Sequence, residues 1–178
     1  MKNVSVRKLA FAGLSAAIYA ALTMFLAPIS YGPIQFRISE CLCILPFFFP
    51  YTSWGLFVGC LLANLLSQFG IADIVFGSLA TLLAGLCTAA LGRKRRESWL
   101  RCILACLMPV VFNALIVGAV IAFCSVEKLF SAAGASMFAL SALEVGFGEL
   151  VVLFVIGLPL TRLLPRMSFF ARLSEGLK

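Results

Sequence analysis

The chain has 178 residues, 63% of them hydrophobic and only 12% charged, with a mean hydropathy of +1.12 and a formal net charge of +7. Composition this apolar excludes an ordinary soluble domain and predicts a single all-α integral membrane domain over residues 1–178. With one aspartate, Asp73, and no histidine, it also excludes an intramembrane hydrolase built on paired aspartates, a Ser/His dyad or a metal, so no enzyme is expected.

Six spans are predicted, over 9–27, 38–51, 54–70, 74–92, 102–124 and 141–164. The first follows Lys2, Arg7 and Lys8 and is longer than the ~7–15 apolar residues of a signal peptide, so it reads as a retained anchor. Ala12, Ala16 and Ala20 repeat every four residues along it, and Gly13, Ala17 and Ala21 repeat the spacing one position on. Small residues so placed admit a close helix neighbour in lipid, either within this chain or on a separate membrane subunit.

The stretch Tyr31–Glu40 then breaks the apolar pattern with Gln35, Arg37, Ser39 and Glu40. Arg37 and Glu40, three apart, share a face if the segment is helical. They are read either as an ion pair capping a helix at the lipid headgroups or as one wall of a binding site. The second span is short for a crossing helix, which predicts tilt or burial among its neighbours. Pro28, Pro33, Pro46, Pro50 and Pro109 mark ends or kinks.

Asn64 and Gln68 lie one turn apart in the third span, and Asp73, after Gly70, is assigned as a helix N-cap. The basic run Arg93–Arg96 beside a span is a topology and anionic-lipid signal rather than a nucleic-acid site. Asn113 falls about eleven residues into the fifth span, at a depth matching Asn64 (about ten residues, ~15 Å). Residues 125–140 are expected to form a short interfacial helix. Glu144 and Glu149 enter the sixth span five residues apart, which turns them about 140° from each other.

Charge orients this arrangement. Of the 14 Lys and Arg residues, all but Arg37 and Lys128 fall on the N-terminal side of the membrane, which predicts cytoplasmic N- and C-termini. Glu40, Asn64, Gln68, Asn113 and one of Glu144 or Glu149 then share the outer half, as expected of a cavity open to the outside. The seven cysteines lie in or beside apolar segments and read as packing residues, with no metal site. No phosphate-binding loop is present, so the chain is not expected to hydrolyse ATP.

Gln35-Phe-Arg-Ile-Ser-Glu40, Leu45-Pro-Phe47, Gly59-Cys-Leu-Leu-Ala-Asn64, Asp73-Ile-Val-Phe-Gly-Ser-Leu-Ala-Thr-Leu-Leu83, and Glu149 followed by Gly157-Leu-Pro-Leu160 together resemble the QueT family over nearly the whole chain. The resemblance implies a substrate-binding S-component of an energy-coupling factor (ECF) transporter in the cell membrane. It further implies a six-transmembrane-helix bundle, a high-affinity site facing outward, and a queuosine precursor as ligand: queuine or a related planar 7-deazaguanine bearing a cationic amine. Partners would be a transmembrane T-component, docked on Ala12, Ala16 and Ala20, and two ABC ATPases. No cofactor and no nucleic acid is implied. The whole S-component would topple in the membrane to release ligand inside.

For such a ligand, Glu40 and Glu144 are the leading contacts, with Asn64 and Asn113 beside them. Gln68, Arg37, Phe36 and Glu149 complete the candidate set. Tyr31, Phe36, Phe69 or Phe147 would stack on the base, and residues 28–37 would form a lid. Two alternatives stay open: an S-component for another vitamin or nucleobase-like ligand, and a structural subunit without one.

Overall fold

The computed structural model describes residues 5–32, 34–93, 98–126, 131–168, 170, 172 and 173. Among them it is all-helical, without a strand. Lys2, Pro33, the basic run from Lys94 to Arg96, Lys128 and Lys178, on which part of the topology reading rests, lie outside the described residues, as does the stretch 127–130.

Six helices are named here: α1 (Val6–Phe25), α2 (Ile38–Phe48), α3 (Thr52–Leu66), α4 (Gly70–Gly92), α5 (Trp99–Ser125) and α6 (Ala132–Arg166). Four of them, α1, α4, α5 and α6, are long and apolar enough to cross a membrane, whereas α2 and α3 are shorter. Helices α1 and α2 run antiparallel, whereas α1 and α3 run parallel, Gly55 meeting Ala12 and Gly59 meeting Ala16. At one end of the bundle Phe11 packs edge-on to Phe49, and at the other Thr23 Oγ1 lies 2.6 Å from Ser39 Oγ. Arg7, Lys8, Arg93, Arg101, Arg162 and Arg166 cluster at the first of these ends, with Arg162 over the Trp99 ring at 5.0 Å.

The short α2 is the centre. It touches each of the other five helices, and Cys41, Cys43, Ile44, Phe47 and Phe48 are all buried. Burial among its neighbours accommodates a helix this short. Its first half is wound as a 3₁₀ helix, Ile38–Ile44, in which Leu45 N–H donates to the Leu42 carbonyl. Pro46 has no N–H to offer that carbonyl, so the tighter i−3 bond takes its place. Pro109 does not end a span: the helix is continuous from Trp99 to Ser125 with Pro109 inside it.

The α1–α3 contact is backbone on backbone. A Cβ at Gly55 would lie 2.3 Å from the Ala12 carbonyl oxygen, and one at Gly59 2.7 Å from that of Ala16. Ala12, Ala16 and Ala20 are therefore buried inside this chain, which corrects their assignment as a free partner-docking face. Gly13, Ala17 and Ala21 form the exposed small-residue row. Gly59→Val is expected to destabilise the bundle by about 1–3 kcal/mol through overpacking, read as a lowered Tm of the purified protein in detergent. An unchanged Tm would mean that α1 and α3 do not meet this closely.

The expected interfacial helix is also corrected. Residues 132–140 are the opening turns of α6, which starts at Ala132 behind a Ser131 N-cap whose side chain accepts a hydrogen bond from Gly134 N–H at 3.1 Å. Both α4 and α6 carry a π-turn, at Asp73–Gly77 and Leu153–Gly157. Such turns commonly accompany functional sites, and the first of these carries a buried carboxylate.

Candidate functional site: a buried polar cluster opposite the basic end

Away from the basic end, polar side chains from all the helices and from the 31–37 loop converge. Arg37, Glu40, Asn64, Asp73, Asn113 and Glu149 are each 2% exposed or less, and Gln35 is 3% exposed. In so apolar a bundle this many buried polar groups demand partners.

Arg37 does not pair with Glu40, as the three-residue spacing suggested. It occupies the N-cap position of the 3₁₀ segment with φ −81° and ψ 89°, outside helical geometry, so that spacing no longer puts the two on one face. Its Nη2 reaches Asp73 Oδ2 at 3.5 Å, and its guanidinium lies over the Tyr31 ring, 5.5 Å from the centroid. Asp73 is consequently an ion-pair partner rather than the helix cap expected of it. It also accepts a hydrogen bond from Ser67 Oγ at 2.6 Å, and Asn64 Nδ2 donates to its main-chain carbonyl at 2.9 Å.

Glu40 is fully engaged inside the chain. Its Oε1 accepts from the Tyr19 hydroxyl, and its Oε2 lies 2.9 Å from Cys43 Sγ. Glu149, in α6, accepts from Asn113 Nδ2 at 2.9 Å through Oε1 only. Gln35 packs on Gly148, next to Glu149 in the chain, which brings the α6 side of the cluster to the loop.

Glu144 lies on another face of α6 and is half-buried, outside the polar cluster. Gln68 falls beyond the end of α3 and is exposed, with Nε2 3.4 Å from the Tyr31 carbonyl. Phe36 packs edge-on against Phe147, which is itself 57% exposed, so this aromatic pair sits on the outer side of the loop.

The described residues on either side of position 33 are tied to neighbouring helices. Tyr31 Oη donates to the Ala63 carbonyl at 2.6 Å. Burial pushes this phenol up to about 12, with Arg37 pulling the other way, so it stays protonated as a donor. Gln35 packs directly on α6, where a Cβ at Gly148 would lie 2.6 Å from the Gln35 carbonyl oxygen.

Six buried atoms of the cluster have no hydrogen-bond partner among the described residues: Gln35 Oε1, Arg37 Nε, Asn64 Oδ1, Asp73 Oδ1, Asn113 Oδ1 and Glu149 Oε2. Each such atom costs about 1–3 kcal/mol unless something bonds it. A set of them in one region suits a small polar ligand far better than it suits a packing core. Two concavities lie away from the cluster and have different chemistry. An apolar groove of about 480 Å³ runs between α4 and α5 past Phe76, Leu115 and Phe123, and a second of about 590 Å³ lies at the basic end beside Arg93 and Arg101.

Reasoning from sequence missed Gln35 and Asp73 as cluster members. Gln35 carried a signal, since it opens the polar stretch of the loop. Asp73 carried only its singularity as the one aspartate in an apolar chain.

Comparison with known proteins gives a consistent answer. Residues 9–166 match the family model described as QueT transporter. A protein of Lactococcus lactis subsp. cremoris (strain MG1363), described as queuosine precursor transporter QueT, is 40% identical over 85 residues, which is 47% of this chain and 50% of that protein. The match thus spans half the length of that relative. No solved structure matches.

Proposed function

This chain belongs to the QueT transporter family, and from that membership we propose that its buried polar cluster binds a queuosine precursor for transport across the membrane. It is a multi-pass membrane protein, with four helices of crossing length. The single observation that carries the reading is the set of six unpartnered polar atoms buried in one region. A 7-deazaguanine base offers ring and exocyclic N–H donors to Asn and carboxylate oxygens, and a carbonyl to Arg37.

In this reading α2 and α3 also cross, assisted by the loops that extend them, and both termini lie in the cytoplasm. The basic residues gathered at one end support that orientation. The loop end then faces outside, and the 31–37 segment closes over bound ligand. The chain acts as an S-component, with a transmembrane T-component and two ABC ATPases supplying the energy. The row Gly13, Ala17 and Ala21 is the face left open on α1 for the T-component, since nothing lies within 4 Å of a Cβ at Gly13.

Uptake into proteoliposomes tests both parts. The chain alone is expected to bind a deazaguanine without concentrating it, and co-reconstitution with T-component and ATPases is expected to give ATP-dependent accumulation. Ala17→Leu should keep ligand binding and lose at least about tenfold of the coupled uptake, because a bulky side chain blocks close helix approach. Uphill uptake by the lone chain would contradict the coupling. Full uptake by Ala17→Leu would remove α1 as the docking face.

A further inference from the structure

The unpartnered atoms of the cluster are of unequal kinds. Four of the six are oxygens that can only accept, Glu149 Oε2 accepts when its carboxyl is ionised, and only Arg37 Nε donates. The amide orientations follow from their partners. Asn113 places its NH₂ on a carboxylate and Asn64 on a main-chain carbonyl, so both leave Oδ1 as the free end. A ligand that satisfies this site must therefore bring mainly donors.

Charge is unequal too. Three buried carboxylates, Glu40, Asp73 and Glu149, face one buried guanidinium. Asp73 takes that guanidinium as its ion-pair partner. Glu40 has a hydrogen bond on each oxygen, from Tyr19 and Cys43. Glu149 has one bond, from Asn113, leaves Oε2 without a partner and has no cation within salt-bridge distance among the described residues.

We propose that the site selects deazaguanines carrying a protonated amine over neutral ones, and that Glu149 is the specificity-determining residue that takes the ammonium group. This rests on the functional reading above. The ammonium supplies N–H donors to Glu149 Oε2 and Asn113 Oδ1, and its charge favours the ionised form of this buried carboxyl. Asn64 Oδ1 and Asp73 Oδ1 remain for the amino and ring N–H groups of the base. A neutral substituent such as a nitrile can only accept. Placed against Glu149, it brings no counter-charge and no donor, so the charge-assisted bond available to an amine is lost.

Calorimetry on the full chain in nanodiscs, with 7-aminomethyl-7-deazaguanine and 7-cyano-7-deazaguanine as probes, tests this. The wild type is expected to bind the amine at least about tenfold more tightly, the scale of one charge-assisted hydrogen bond. In Glu149→Gln the ratio should collapse to within about threefold, while Glu149→Asp, which keeps the charge, should retain the preference. Equal wild-type affinities would overturn the charge selection and leave the binding function standing. A preserved ratio in Glu149→Gln would overturn the role of Glu149. Binding of neither probe would instead overturn the functional reading. The wild-type comparison needs no variant, so it decides the charge selection even if Glu149→Gln fails to fold.

Discussion

Asp73→Ala is expected to destabilise the protein by about 3–5 kcal/mol, the cost of leaving a buried cation without its partner. Arg37 is 2% exposed, and Asp73 is its only carboxylate within 4 Å among the described residues. Removing that carboxylate also releases Ser67 Oγ, which donates to it at 2.6 Å. Arg37→Ala should cost a similar amount from the other side. The double variant should cost clearly less than the sum, because neither charge is then stranded. Unfolding of the purified variants in detergent measures this. A loss below about 1 kcal/mol for Asp73→Ala would place the pair in water rather than in the bundle.

Gly148→Val is the second large effect, and it acts on the ligand. A Cβ at position 148 would lie 2.6 Å from the Gln35 carbonyl oxygen and 3.0 Å from its carbon, so the 31–37 loop has to lift from α6. Both Gln35 Oε1 and Arg37 Nε then leave the cluster. Deprived of these two polar groups, one of them charged, the site is expected to bind a deazaguanine roughly 100-fold more weakly, chiefly through faster dissociation. Stopped-flow release of ligand from wild-type and variant protein reads this directly. An unchanged off-rate would mean that the loop does not hold the ligand.

Much of this architecture is legible from residue type alone. Apolar runs bounded by charge and proline locate all six helices, and the shortness of the second anticipates its burial in the centre. The polar stretch from Gln35 to Glu40 and the asparagines at positions 64 and 113 mark the end of the bundle where the cluster forms. Pairing within the cluster is not legible, because it depends on backbone geometry. Arg37 looks like the i−3 partner of Glu40 only if residue 37 is helical, and it is not. Its actual partner is 36 residues away. Nor does spacing say which row of small residues on α1 faces inward, since the glycines that receive it, Gly55 and Gly59, lie on another helix.

The choice between Glu144 and Glu149 turned on where the sixth span begins. Counting from 141 puts Glu144 near the mouth, whereas the Ser131 cap starts the helix at Ala132. Ser131 was a readable cap, hidden among small residues that suit an interfacial loop equally well. Glu149, one residue from the glycine against which Gln35 packs, is the carboxylate that reaches the cluster.

The measurement that bears most directly on the site is equilibrium binding of 7-aminomethyl-7-deazaguanine to the purified chain alone, beside Asn113→Leu, which removes one unpartnered oxygen and the hydrogen bond to Glu149. Saturable one-to-one binding by the wild type, weakened at least about tenfold in the folded variant, is the predicted result. Equal binding by wild type and Asn113→Leu, or no binding by a folded wild-type chain, would contradict the placement of a queuosine-precursor site in this cluster.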